Sequence, residues 1–487
     1  MPFPAGDTLL ILPELFLTAA GLVVLLWATA VSREGERGLA FFSIGALAAT
    51  GILLFVSARM AGALPRSGFG GMFVMDRFGL YFKGILILVS IVTILFSLRF
   101  IGAASYPGGE YYGLLLFATV GMLFMASGTN LASIVVALEL MALSQYVLAG
   151  YFKRETKSLE AAAKYFVLGA FSSGILLYGV SLVYGAAGTL SLAGIATAFA
   201  APKPPAFLVV GIIFVACGMF FKIASAPFHV WAPDVYEGAP TPISAFFAVG
   251  PKLAAYAIFA RIFFVGFGPR AGDWTAIVAA SAALTMIVGN VGALMQTNVK
   301  RLLGYSSIGH AGYALLGFLA YGDKSGIGLW SVLVYLLAYA FMNLGAFGLV
   351  ILLEAKGYAG ESVDDFNGLA KKNPWLAAAM LVFLLSLAGI PPTAGFVGKY
   401  FLFSAAMKAG YFWLALLAVL MSAVSLFYYF RIARAMYLVD GEGTLHWREE
   451  PAVTAAIALC AAGTLAMGIL PGPFVQFART CLLPFGP

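Results

Sequence analysis

Three lysines of this chain lie where lysine is rare, within long stretches of apolar residues. They are Lys222, Lys252 and Lys399, the last of which follows the segment 389-GIPPTAG-395. Loss of hydration lowers the proton affinity of a lysine, and a nearby carboxylate raises it, so a moving partner can make the side chain bind or release a proton. A series of such lysines predicts a proton relay.

Two other side chains could take part in proton transfer. Glu139 lies near the middle of the apolar stretch 130–150 and could be the carboxylate partner of a lysine on another helix. His310 lies within a second stretch, close to Ser306 and Ser307, and histidine titrates near neutral pH. Both residues are therefore candidates for the relay.

Three further charged residues have less distinctive positions. Lys164 follows Glu160 by one helical turn, so it could serve the relay or form an ion pair at the protein surface. Lys83 and Glu14 lie close to the starts of their apolar stretches. For both we expect anchoring at the membrane interface.

Each relay candidate also has a purely structural explanation. Glu139 could be hydrogen-bonded to a neighbouring helix, and Lys222 could extend to the membrane surface. Lys252 could accompany a helix kink, and Lys399 could neutralise carbonyl groups freed by a broken helix. His310 could be an ordinary buried histidine with satisfied hydrogen bonds. The sequence leaves these alternatives open.

The composition identifies the environment of these residues. Of the 487 residues, 62% are hydrophobic and only 10% are charged, and the mean hydropathy is +0.97. A single soluble core cannot bury that much apolar surface, and apolar runs of roughly 18–25 residues recur along the chain, each long enough to cross a bilayer as a helix. The fold class is therefore an all-α polytopic membrane protein.

The same pattern predicts about fourteen transmembrane helices. Their predicted ranges are 8–30, 38–58, 78–100, 111–128, 130–151, 160–185, 206–229, 242–264, 274–296, 301–321, 327–353, 375–409 with an interruption, 411–438 and 451–474. Prolines break the seventh and twelfth spans. These two spans are five helices apart. Because five is an odd number, equivalent helices of a five-helix repeat cross the membrane in opposite directions, which is the inverted-repeat plan of many transporters.

This spacing divides the chain into four parts. We expect three N-terminal spans in 1–105, a first repeat in 106–268, a second inverted repeat in 269–440 and one C-terminal span in 441–487, with one broken helix in each repeat. No ATP-binding, dinucleotide-binding or zinc motif is present, and the three cysteines and three histidines lack metal-site spacing. We therefore expect no cofactor or metal on this chain.

Basic residues in the loops predict the orientation. Loops after odd-numbered spans hold 14 of them and loops after even-numbered spans hold 9, which favours a cytoplasmic position for the odd loops and places both termini outside. The first group is Arg33, Arg37, Arg99, Lys153, Arg154, Lys157, Lys300, Arg301, Lys356, Lys371, Lys372, Arg431, Arg434 and Arg448; the second is Arg59, Arg66, Arg77, Lys203, Arg261, Arg270, Lys324, Lys408 and Arg479. Because these charges serve as loop anchors, the net charge of +7 does not indicate a nucleic-acid partner.

One long segment resembles a known family. The run 221-FKIASAPFHVWAPDVYEGAPTPISAFFAVGPK-252 resembles the antiporter-like membrane subunits of respiratory complex I, the proton-translocating NADH:quinone oxidoreductase of bacteria. Supporting matches are PELFL at 13–17, LELMALSQYVL at 138–148, AAAKYFVLGAFSSG at 161–174, KRLLGYSSIGHAGY at 300–313 and SLAGIPPTAGFVGKYFLF at 386–403. The run Val235-Tyr236-Glu237 and the end of the chain after one C-terminal span favour the subunit N branch of the family over the L and M branches.

The resemblance implies a function in the bacterial inner membrane. Such a subunit translocates protons, while NADH, FMN, iron–sulfur clusters and quinone are bound by partner subunits, and its own partners are the neighbouring antiporter-like subunit and small membrane subunits. It further implies that Glu139 pairs with Lys222, that Lys164 assists this lysine, that Lys252 and His310 pass charge onward, and that Lys399 ends the relay.

Two other functions remain open at this stage. A subunit of a multi-subunit cation/proton antiporter could use the same lysines, driven by an ion gradient instead of NADH oxidation. Alternatively, the charged residues could hold subunits together in a passive scaffold.

Overall fold

The computed structural model describes residues 5–30, 36–104, 108–200, 205–354, 360–441 and 451–483, and these residues form a helical membrane protein. The helices are α1 (Ala5–Leu10), α2 (Leu12–Ala28), α3 (Glu36–Met60), α4 (Arg77–Ala104), α5 (Gly108–Ser127), α6 (Leu131–Ala149), α7 (Thr156–Ala187), α8 (Leu192–Phe199), α9 (Phe207–Lys222), α10 (Ala232–Gly238), α11 (Thr241–Ala260), α12 (Ala271–Leu294), α13 (Val299–Leu315), α14 (Ile327–Glu354), α15 (Leu369–Lys372), α16 (Pro374–Ala388), α17 (Ala394–Lys408), α18 (Phe412–Leu438), α19 (Pro451–Ile469) and α20 (Pro471–Thr480). A short antiparallel hairpin pairs β1 (Arg66–Gly68) with β2 (Phe73–Met75).

Within these ranges, ten helices are long and apolar enough to cross a membrane. They coincide with ten of the fourteen predicted spans. The other four, which are the first, seventh, tenth and twelfth, contain shorter helices, and the last of these four is divided between α16 and α17. Among the loop residues that predicted the orientation, Arg33, Lys203, Lys356 and Arg448 lie outside the described residues.

Two helices form the centre of the bundle. Every residue of α11 is buried, and nearly all of α14, which packs against it, is buried as well. α11 is rich in alanine and contains Gly250 and Pro251, so neighbouring helices can approach it closely. Lys252 is therefore held inside protein and does not face lipid.

The first helix break begins earlier than predicted. The expected span 206–229 is helical only to Lys222, because Ala224 has a positive φ of 56° and Pro227 cannot donate a backbone hydrogen bond. Polar side chains satisfy the freed backbone. Trp231 donates to the carbonyl of Phe221 at 3.1 Å, and the Ala226 amide donates to a threonine hydroxyl of α12 at 2.9 Å.

The second break was predicted at 389-GIPPTAG-395, and the helix is interrupted there. α16 ends before Gly389, whose φ is 89°, and α17 begins after Thr393. The two half-helices approach closely, because a Cβ atom on Gly395 would lie 1.7 Å from the carbonyl oxygen of Ser386. Glycine at 395 is thus a requirement of the close contact.

The interface anchoring predicted for Glu14 and Lys83 is wrong. Both side chains are essentially unexposed, and Nζ of Lys83 lies 2.5 Å from Oε1 of Glu14, which connects α2 to α4. A second buried pair joins Arg261 to Asp76 at 2.7 and 2.9 Å, although Arg261 was counted as a loop residue. Neither pair could be recognised in the sequence, because the partners are far apart along the chain.

Candidate functional site

A polar contact zone between α6 and α7 contains Glu139. The half-buried carboxylate accepts a hydrogen bond of 2.6 Å from the Ser173 hydroxyl. Farther along the same two helices, Tyr165 donates to the side-chain oxygen of Gln145 at 2.8 Å, and the ring of Tyr146 lies 4.9 Å from that of Tyr165. These groups form a line between Glu139 and the end of α7 that carries Lys164.

Several atoms of this zone have unused hydrogen-bonding capacity. Nε2 of Gln145, the hydroxyl of Tyr146 and the hydroxyl of Ser172 are buried and have no hydrogen-bond partner in the described part of the chain. Buried polar groups of this kind are usually satisfied by ordered water. We call the residues Glu139, Gln145, Tyr146, Tyr165, Ser172 and Ser173 the α6/α7 polar zone.

Lys222 is the last residue of α9 and lies at the first helix break. Its side chain is 6% exposed and makes neither a hydrogen bond nor an ion pair with any described residue. The predicted direct pair with Glu139 is therefore not formed in this structure, where Glu139 is bound by Ser173. A buried ammonium without a fixed partner is free to respond to charges that move nearby.

Lys252 is bound to α13 instead of to an acid. Its ammonium donates to the backbone carbonyl of Ser307 at 3.0 Å and also contacts the Ser307 hydroxyl. The ring of Tyr236 lies 5.8 Å away on a third element, α10. The side chain is 2% exposed, so a neutral polar site within the protein surrounds this lysine.

His310 is bonded on both ring nitrogens. Nδ1 lies 2.5 Å from the hydroxyl of Tyr335 on α14, and Nε2 lies 3.3 Å from the hydroxyl of Tyr429 on α18. Tyr429 also bonds to Ser306, which is adjacent in the chain to the Ser307 that binds Lys252. His310 thus continues the polar connection that begins at Lys252.

Lys399 binds the carbonyl groups freed at the second break. Its ammonium donates to Leu387 and Ala388, each at 2.9 Å, and to the Ser422 hydroxyl at 2.8 Å. These contacts are the ones expected from the structural alternative for this lysine, which leaves its predicted relay role untested. The ammonium also lies 4.8 Å above the ring of Tyr313, whose ring centre is 5.7 Å from that of His310. Lys399 consequently lies at the far end of the same connected group.

Lys164 belongs to a charged cluster on the protein surface. Its ammonium lies 2.6 Å from Glu160 and 2.7 Å from Asp234 of α10, and the side chain is 41% exposed. Arg301 of α13 binds both Asp234 and Glu237, at 2.7 and 3.0 Å. The cluster therefore holds α10, which follows the first break, between α7 and α13.

This cluster is expected to weaken in acid. Burial raises the pKa of Asp234, but hydrogen bonds from Lys164 and Arg301 outweigh that effect and hold the pKa below its ordinary value; Glu237 shows the same balance with Arg301 and Lys157. A carboxyl group whose pKa is lower in the folded chain than in the unfolded chain stabilises the fold at pH values above its ordinary pKa, which is about 4. This stabilisation is lost as the pH falls through the lower, folded-state pKa.

Hydrogen exchange of the α10 amides, corrected for intrinsic pH dependence, measures this contribution. At pH 7 the double variant D234N/E237Q should exchange faster than the unchanged chain, by an amount equivalent to about 0.2–1 kcal/mol for each ion pair with Arg301, because these pairs are partly exposed. The difference between the two proteins should become smaller as the pH falls from 7 towards 3. A difference that persists unchanged at pH 3 would contradict the electrostatic origin.

The relay candidates thus fall into three groups. Lys252, His310 and Lys399 belong to one connected polar group, Glu139 belongs to the α6/α7 polar zone, and Lys164 belongs to the surface cluster. Lys222 makes neither a hydrogen bond nor an ion pair with any member of these groups. The connecting residues Ser307, Tyr335 and Tyr429 were not predicted, although Tyr335 and Tyr339 lie one turn apart on α14, a spacing that is visible in the sequence.

The sequence and the fold of this chain are similar to those of known membrane subunits. Residues 128–425 match the family model described as "NADH:quinone oxidoreductase/Mrp antiporter, TM". The chain is 44% identical to NADH-quinone oxidoreductase subunit N of Trichlorobacter lovleyi and to subunit N 2 of Rhizobium meliloti, in both cases over 96% of each chain. It also superposes on a chain of respiratory complex I from Thermus thermophilus with a TM-score of 0.80 and 33% identity, covering 96% of this chain and 99% of that one.

Proposed function

The chain belongs to the NADH:quinone oxidoreductase/Mrp antiporter membrane family, and from this membership we propose that it translocates protons as subunit N of an NADH-quinone oxidoreductase. Its end-to-end similarity to the subunit N relatives supports this function. The lysine relay within the chain is the mechanistic part of the proposal.

One observation carries the relay: three buried lysines form no ion pair with an acidic side chain of the described residues. Lys252 and Lys399 donate only to carbonyl and hydroxyl oxygens, and Lys222 makes neither a hydrogen bond nor an ion pair. A permanently charged ammonium in the membrane interior costs several kcal/mol unless a counter-charge is present. Because no fixed carboxylate holds the proton, the protonation of each lysine can follow the charge of its neighbours.

The polar contacts support an order of residues for this relay. Protons would pass along the α6/α7 polar zone to Glu139 and from there to Lys222. Transfer to Lys252 would follow, and the hydroxyls of Ser307 and Tyr429 would lead to His310 and finally to Lys399. A charge rearrangement in a neighbouring subunit, by changing the Glu139–Lys222 interaction, would set the relay in motion.

The same proposal extends to the architecture. The two broken helices support fourteen spans in which 106–268 and 269–440 are inverted repeats, flanked by 1–105 and 441–487. Both termini would lie on the periplasmic side of the bacterial inner membrane. This orientation rests on the loop charges.

Electron transfer is assigned to other chains of the complex. NADH, FMN, iron–sulfur clusters and quinone would be bound by partner subunits, and this chain would carry no redox chemistry. Its partners would be the neighbouring antiporter-like subunit and the small membrane subunits. Coupling is then mechanical and electrostatic, transmitted through subunit contacts within the membrane.

Purification of the native complex tests the function. We expect the chain to co-purify with NADH-oxidising and quinone-reducing subunits, and sealed vesicles containing the complex to acidify their interior upon addition of NADH and quinone when the NADH site faces outward. The antiporter alternative, which the family description includes, predicts a different result. Sodium or potassium exchange by this chain in the absence of any NADH-oxidising partner would overturn the proposal.

A further inference from the structure

A cleft of about 810 Å³ shares no residue with the α6/α7 polar zone or with the proposed relay. It lies between the end of α3, the first turn of α4 and α20, and its lining includes Arg59, Arg77 and Thr480. Since α3 and α4 are candidate membrane spans, their ends mark the level where hydrocarbon meets lipid headgroups.

The two arginines give the cleft a positive charge. Arg59 and Arg77 are exposed, and neither forms an ion pair with a described residue. No acidic side chain is among the residues that line the cleft. The adjacent Asp76 does not neutralise it, because both of its carboxylate oxygens are bound by Arg261 in the interior.

The remaining walls are apolar and continue onto the lipid-facing surface. Phe55 is 62% exposed and Phe477 is 58% exposed, and the partly buried Leu80 lies between their helices. Phe477 belongs to α20, which has one apolar and one polar face. The ring of Phe477 contacts the ring of Tyr81 on α4. Such a helix is suited to lie at the membrane interface.

We propose that this cleft binds an anionic phospholipid. The phosphate would be held by the guanidinium groups of Arg59 and Arg77, which donate in the paired geometry that phosphate oxygens accept, and Thr480 would offer a further hydroxyl. The acyl chains would lie along Phe55 and Phe477. A free phosphate ion shares the headgroup chemistry, but only a lipid also covers the apolar walls.

The site is tested with the purified complex in nanodiscs of phosphatidylcholine containing a minor fraction of phosphatidylglycerol. Native mass spectrometry after release from the nanodiscs counts the phosphatidylglycerol molecules that remain bound. The variant R59Q/R77Q removes both charges of the cleft. The matched control R37Q removes one exposed charge from the opposite end of the same helix α3.

We expect R59Q/R77Q to weaken retention of one phosphatidylglycerol roughly thirtyfold, since each cation near a membrane surface contributes about a factor of five. R37Q should retain it, and inorganic phosphate should not displace it. Unchanged retention in R59Q/R77Q, equal retention of phosphatidylcholine, or displacement by inorganic phosphate would each overturn the proposal. So would a cross-link from a photoreactive residue at Leu80 to another subunit. The outcome does not depend on the proton relay, because NADH oxidation is not the measured quantity.

Discussion

Replacing Lys222 by methionine is expected to reduce the number of protons translocated per NADH in sealed vesicles. Methionine keeps the length and apolar stem of the side chain but has no titratable group. Because Lys222 makes no hydrogen bond or ion pair with the described residues, the substitution removes only its contact with the Phe221 ring, 5.8 Å away. A loss of function in K222M therefore reports the loss of proton binding.

The size of the effect follows from the place of Lys222 in the proposed relay, between Glu139 and Lys252. Positioned proton-transfer groups typically accelerate the transfer by 10²–10⁴-fold, so the step through this chain should slow by at least about a hundredfold. The control K324M removes an exposed loop lysine and should leave the ratio unchanged. Equal proton yield in K222M and the unchanged complex would show that the relay does not pass through this residue.

A change in assembly would give a different pattern from a change in transport. If the buried lysines served only to hold subunits together, K222M would lower the amount of complex recovered, while each assembled complex would still pump normally. The proton yield is therefore expressed per assembled complex, with NADH oxidation measured in the same vesicles. This normalisation separates the scaffold alternative from the relay.

Helix breaks could be predicted from the sequence because proline has a local effect. The prolines at 227, 391 and 392 remove backbone donors wherever they occur, and both predicted interruptions are present. The end of the first broken helix could not be placed to the residue. The chain leaves the helix at Ala224, whose left-handed conformation depends on tertiary contacts.

The rotation of each helix within the bundle could not be predicted. In a membrane, helix faces that contact lipid and faces that contact protein are both apolar, so hydropathy does not distinguish them. The fully buried α11 and the half-exposed α18 therefore look alike in the sequence. The link between Ser306 and Tyr429, which are 123 residues apart, depends on that rotation and was missed for this reason.

The two buried ion pairs were missed for a related reason. Lys83 and Arg261 lie close to span ends, where basic residues ordinarily extend to the interface. Their actual environment is set by Glu14 and Asp76 on other helices. Removing only one partner of such a buried pair strongly destabilises the protein, because the other charge is left buried without a partner. These residues are therefore unsuitable as controls in transport assays.

The proposed relay role of Lys399 and its hydrogen bonds to the helix break can be separated by substitution. The glutamine variant K399Q retains an N–H donor for the carbonyl groups at the end of α16 but cannot accept a proton for transport. We expect K399Q to assemble normally and to translocate at least about a hundredfold more slowly in the step through this chain. If K399Q pumped normally, Lys399 would serve only the helix break.

The methionine variant K399M removes the donor as well. The Ala388 carbonyl would keep the hydroxyl of Ser422, at 2.9 Å, but no remaining described donor binds the Leu387 carbonyl from outside the helix. An unsatisfied buried carbonyl costs about 1–3 kcal/mol, so K399M should denature at a lower temperature than K399Q while sharing its transport defect. Thermal denaturation of the purified complexes measures the first difference and proton yield per NADH the second. Equal thermal stability of K399M and K399Q would show that the hydrogen bonds to the broken helix contribute little, and that Lys399 is retained for the relay alone.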